Sequence, residues 1–91
     1  MTVDEAIKKG ERELRRAVRL AQRTRTTMAN LLKVTRDGTA TEVVAQSEAE
    51  IRLLDRVIGY GSRALFSLPE VPEQRLKAIQ EALQTMDDLA K

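Results

Sequence analysis

Between Val3 and Thr35 an apolar or small residue recurs at alternating steps of four and three: Val3, Ile7, Gly10, Leu14, Ala17, Ala21, Thr24, Met28, Leu31, Thr35. A half-buried strand repeats every two residues, whereas a mean step of 3.5 keeps one face of a helix aligned over its whole length. The seam therefore predicts one long helix packed lengthwise on another. Thr2 followed by Glu5 has the form of a capping box, which starts the helix near Val3. Arg36-Asp37-Gly38 is a stop signal, with Gly38 suited to a left-handed C-cap. Helix one is expected over about residues 3–36.

Two further segments follow the same rule. Thr39 and Glu42 form a second candidate capping box, and Val44, Ser47, Ile51, Leu54, Ile58, Gly61, Leu65 and Leu68 make a second seam. Helix two is expected over about 40–68, ended by Pro69. Its interior holds Gly59-Tyr60-Gly61-Ser62, where each glycine costs a helix roughly 1 kcal/mol against alanine. A kink there is one reading. Close helix packing is another, with Gly59 set against Ala17 by pairing around the turn. Pro72 suits the first position of helix three, where its missing N–H costs nothing. The third seam is Leu76, Ile79, Leu83, Met86 and Ala90, with Leu89 beside it, over about 72–90. The chain reads as a single all-α domain over residues 1–91: a long antiparallel, coiled-coil-like hairpin with a short third helix.

The unequal lengths matter. At 1.5 Å per residue the three helices span about 50, 42 and 27 Å. Helix three returns to the N-terminal end of helix one and is too short to reach the hairpin tip. A three-helix core is expected where Val3 to Ala17, Leu54 to Leu68 and helix three meet. The tip half is a two-helix hairpin, which cannot hide all of its aliphatic side chains. Met28, Leu31, Leu32, Val34, Val43, Val44 and Leu53 are accordingly the candidate partner-binding residues. Contiguous apolar surface of this kind usually marks an interaction site. A homodimer through the tips would form a local four-helix bundle.

Composition narrows the chemistry. The chain has no Cys and no His, which removes disulfides, the usual zinc ligands, the thiol nucleophile and the commonest general base. Asp87-Asp88 are neighbours on a helix and do not face one site. Asp37-Gly38 lacks the later acidic positions of a calcium loop. Gly59-Tyr60-Gly61-Ser62 follows no strand and lacks the lysine of a phosphate-binding loop. No catalytic, metal or cofactor site is expected, and the chain reads as a binding protein, not an enzyme. No segment approaches the roughly 18 apolar residues of a membrane span. With no hydrophobic leader in residues 1–10, a cytoplasmic location is the default expectation.

Charge is unevenly distributed. From Leu14 to Arg36 there is no acid but there are seven bases, while Asp37 to Lys91 holds ten acids and six bases. Arg12, Arg15, Arg16, Arg19 and Arg23, with Lys8 and Lys9, fall on one arc opposite the seam. This arc is a solvated outer face, a set of intramolecular pairs, or a surface for an anionic partner. Arginine suits bidentate recognition of carboxylate or phosphate. Against nucleic acid stand a net charge of only +2 and the lack of nearby aromatics for base stacking. The leading expectation is therefore a protein-interaction module (adaptor, assembly chaperone or inhibitor) that binds another protein or a second copy of itself. The alternative is a nucleic-acid-binding protein using the arginine face. In outline alone the chain resembles small secretion co-chaperones and helical inhibitor proteins. That likeness is one of shape and implies no more than an interaction role.

Overall fold

A computed structural model describes residues 2–35 and 41–91, with only the backbone described at Val34 and Thr35. Three helices account for most of the chain: α1, Val3–Thr35; α2, Thr41–Phe66; and α3, Pro72–Leu89. All three pack on one another in an elongated bundle of 54 × 20 × 16 Å. The expected all-α architecture is the observed one.

The helix ends follow from local chemistry. Thr2 Oγ1 accepts a hydrogen bond from the Glu5 N–H at 3.2 Å, satisfying one donor of the first turn. Gly38 and the Thr39–Glu42 capping box lie wholly or partly outside the described residues. At the far end α2 stops at Phe66, two residues before the expected limit. The Ser67 N–H and hydroxyl both donate to the Arg63 carbonyl, at 3.1 and 2.8 Å. Leu68 cannot continue the helix because a residue before proline is pushed out of the α region. Val71 is the N-cap of α3 and lies extended, with proline entering the first turn as expected. The last helical residue is Leu89, and Ala90 caps the helix with its N–H on the Met86 carbonyl.

The core consists of Ile7, Leu14, Val18, Ala21, Val57, Ile79, Ala82 and Met86, with Leu14 and Ile79 fully buried. Among the described residues no polar or charged side chain is buried. Three of these positions, Val18, Val57 and Ala82, lie off the expected seams. A two-stranded seam is narrow, but a helix touching two neighbours buries a wider stripe. Val18 joins Ala17, Val57 joins Leu54 and Ile58, and Ala82 joins Leu83 for that reason.

Two glycines mark the closest approaches. A Cβ added at Gly10 would lie 2.8 Å from Ile79 Cγ2, and one at Gly61 would lie 2.7 Å from Val18 Cγ2 and 2.9 Å from Met86 Cε. Gly61 is thus where α2 meets both other helices. The expected pairing of Gly59 with Ala17 is not found: Gly59 points to the outer side, and its nearest neighbour is Arg63 of its own helix. The two positions are about 200° apart on the helix, so only one of them can face the core. Helix α2 runs unbroken through both.

Candidate interaction surfaces

The third helix ends where the hairpin goes on, and this step creates a groove. Its floor and walls are Leu20, Ala21, Thr24 and Met28 from α1, and Glu50, Leu53, Leu54 and Val57 from α2. Ala90, just past α3, closes one end. The lining is mostly apolar, and Thr24 turns its hydroxyl back to the Leu20 carbonyl at 2.9 Å, leaving its methyl free to line the wall. Helical spacing extends the same rows toward the tip, from Thr24 and Met28 to Leu31 and from Glu50 to Val43.

The candidate partner-binding residues are placed as follows. Leu31 and Val43 are exposed, at 58% and 49%. Met28 and Leu53 are half-buried and line the groove. Leu32 and Val44 are half-buried. The side chain of Val34 lies outside the described residues. Leu20, 64% exposed, was not among the candidates, although it belongs to the surface. Its signal was present in the spacing: Leu20 stands one turn before the seam residue Thr24, at the edge of the apolar stripe, which a seam-centred reading passes over.

The basic face is also preserved in the fold. Arg12, Arg15, Arg16, Arg19 and Arg23 are all exposed and, with Leu20, ring one shallow hollow on the outside of α1. Only Arg15 is paired, with Glu11 at 3.6 Å one turn back. Among the described residues Arg12, Arg16, Arg19 and Arg23 form no ion pair. Toward the tip the face continues through Gln22, Thr26 and Thr27, which are neutral. Two acids adjoin the face: Glu13 is exposed, and Glu11 is mostly buried and held 2.6 Å from Arg75 Nε of α3. Arg75 also donates to the Pro69 carbonyl at 3.2 Å, which ties the α2–α3 linker to the bundle. Arg25 faces the other way and pairs with Asp55 of α2 at 2.6 Å.

A third exposed feature lies at the opposite end of the bundle. Phe66 is 94% exposed, and Val71 and Val3 are about half exposed. They sit where α2 ends and where α3 and α1 begin.

No family model, curated protein or solved structure matches this chain. No helix of the described residues is long and apolar enough to cross a membrane.

Proposed function

We propose that this chain is a protein-interaction module whose apolar groove, at the end of α3, is filled by the same hairpin half of a second copy. The observation that carries the reading is the groove itself. Two long helices continue past a third that stops, and Leu20, Met28, Leu31, Val43 and Leu53 are left along the open side. Burying one such side chain completely is worth roughly 1.5–3 kcal/mol, and it is the sum over these partly exposed side chains that has to outweigh the cost of association.

Charge favours a second copy over an unrelated helix. Past Leu14, the charged residues of α1 are all bases, Arg25 and Lys33 among them, with Arg25 turned toward α2. The facing half of α2 carries Glu42, Glu48, Glu50 and Asp55, with Arg52 as its one base before Arg56. A two-fold axis brings α1 of one copy against α2 of the other, so the surface is complementary to itself, as an isologous interface requires. The Arg25–Asp55 pair is the same complementarity made within one chain. Packing of the two tips completes a local four-helix bundle.

Analytical ultracentrifugation across a concentration series tests the reading. The wild type is expected to sediment as a dimer. Leu31→Glu and Val43→Glu are expected to sediment as monomers with unchanged helical circular dichroism, because both side chains are already exposed in the single chain. A wild type that stays monomeric at every concentration overturns the second copy as occupant.

A further inference from the structure

We infer that the outer face of α1 is a second, independent binding surface, and that its ligand is the phosphodiester backbone of a nucleic acid. The face is built for a linear polyanion. Arg12, Arg15, Arg16, Arg19 and Arg23 lie along one side of a straight helix, and the outermost two are about 17 Å apart along the axis. One strand of a duplex presents about five phosphates over that length. Four of the five guanidinium groups have no carboxylate partner among the described residues, so none has to be released before binding.

Past Glu13 the local field is unopposed along α1. From Leu14 to the end of α1 there is no acid, and the residues that extend the face, Gln22, Thr26 and Thr27, offer neutral hydrogen-bonding groups. Of the two acids that adjoin the arginines, Glu11 is drawn inward by Arg75, and Glu13 is exposed beside Arg12 at the N-terminal end of the face. The small net charge hides this arrangement. Helix α1 carries nine bases against four acids, whereas α2 and α3 together carry five bases against eight acids.

An acidic protein is the competing ligand, and the composition of the face disfavours it. Protein interfaces are organised around an apolar centre with a polar rim. Here the only apolar side chain among the arginines is Leu20. Interfaces with nucleic acid are polar and strongly basic throughout. The face holds no aromatic for base stacking, and the contacts inferred are to phosphates, which carry no sequence information.

The test is fluorescence anisotropy with a labelled duplex of arbitrary sequence, about two helical turns long. Four released counterions predict a slope of about −3.6 in log affinity against log salt, or roughly a hundredfold weakening from about 50 to about 200 mM salt. The combined variant Arg12→Gln, Arg16→Gln, Arg19→Gln, Arg23→Gln is expected to lose nearly all affinity at about 50 mM salt, where the phosphate contacts supply it. Replacing Arg52, Arg56 and Arg63 of α2 by Gln is expected to change affinity by no more than about threefold, because those bases stand among acids. Circular dichroism confirms that each variant folds. Leu31→Glu is expected to bind the duplex as the wild type does, which separates this surface from the groove. Absence of binding at about 50 mM salt overturns the inference, given the strength expected of several phosphate contacts. So does equal loss in the α1 and α2 variants, and so does displacement of the duplex by polyglutamate at matched charge as readily as by unlabelled duplex.

Discussion

Gly59 and Gly61 stand two residues apart in α2, yet replacing each by alanine should move stability in opposite directions. Either change recovers roughly 1 kcal/mol of helix propensity. At Gly59 little opposes that gain: the new methyl would sit 3.4 Å from a guanidinium nitrogen of Arg63, the far end of a flexible side chain that can swing aside. At Gly61 the methyl would meet Val18 Cγ2 at 2.7 Å and Met86 Cε and Sδ at 2.9 Å. The thioether can turn away, but valine in a helix is held almost entirely to one rotamer. Helix α1 must therefore shift. Overpacking of this kind costs about 1–3 kcal/mol, which leaves Gly61→Ala destabilised by about 1 kcal/mol after the propensity gain. The two variants then differ by about 2 kcal/mol, which for a domain of this size separates their melting temperatures by roughly 8–16 °C. Thermal unfolding followed by circular dichroism reads this directly. It must be done at one protein concentration, because association would make the midpoint concentration-dependent. If both variants melt above the wild type, or Gly59→Ala melts below Gly61→Ala, the placement of α2 against α1 and α3 is wrong.

Leu14→Ala should destabilise the chain by about 2–5 kcal/mol, the range for emptying a fully buried leucine site, and urea titration checks it. Leu31→Ala, at an exposed position, should fall within about 0.5 kcal/mol of the wild type under conditions where the chain is monomeric. Glu11→Gln should cost about 1.5–3 kcal/mol, because it removes the charge that holds Arg75 and with it the α2–α3 linker, and a hydrogen bond to a charged group is worth about that much. The combined glutamine variant of Arg12, Arg16, Arg19 and Arg23 should melt within a few degrees of the wild type, since exposed charges contribute little to stability. A large drop would show that these arginines hold the fold.

The helices were legible in the sequence because their signals are local. Thr2, Pro69 and Pro72 act within one turn, and a 3.5-residue repeat needs no knowledge of what it packs against. The core was less legible. Val18, Val57 and Ala82 are buried because each helix touches two others, and the width of a buried stripe depends on how many neighbours arrive. The glycines show the same division. Gly59 and Gly61 are equal as sequence symbols, and only the rotation of α2 decides that Gly61 meets Val18 while Gly59 faces outward. That the hairpin outruns α3 and leaves aliphatic side chains such as Met28 and Leu53 uncovered was legible from helix lengths; that they line a groove was not. Leu20 was missed because its neighbours in the helix are arginines, and it reads as part of the charged face until the end of α3 is placed beside it.

The proposed meeting point of two copies is the hairpin half, not the opposite end with its exposed Phe66. The chain has no cysteine, so one can be introduced and spin-labelled without background. Asn30→Cys places a label near the tip on the outer side of α1, clear of the groove. Phe66→Cys places one at the other end of the 54 Å long molecule. Pulsed dipolar spectroscopy should find strong coupling between Asn30 labels on separate chains, abolished by dilution with unlabelled protein, and much weaker coupling or none between Phe66 labels. Strong coupling at Phe66 with none at Asn30 would place the interface at the wrong end of the bundle and contradict the account.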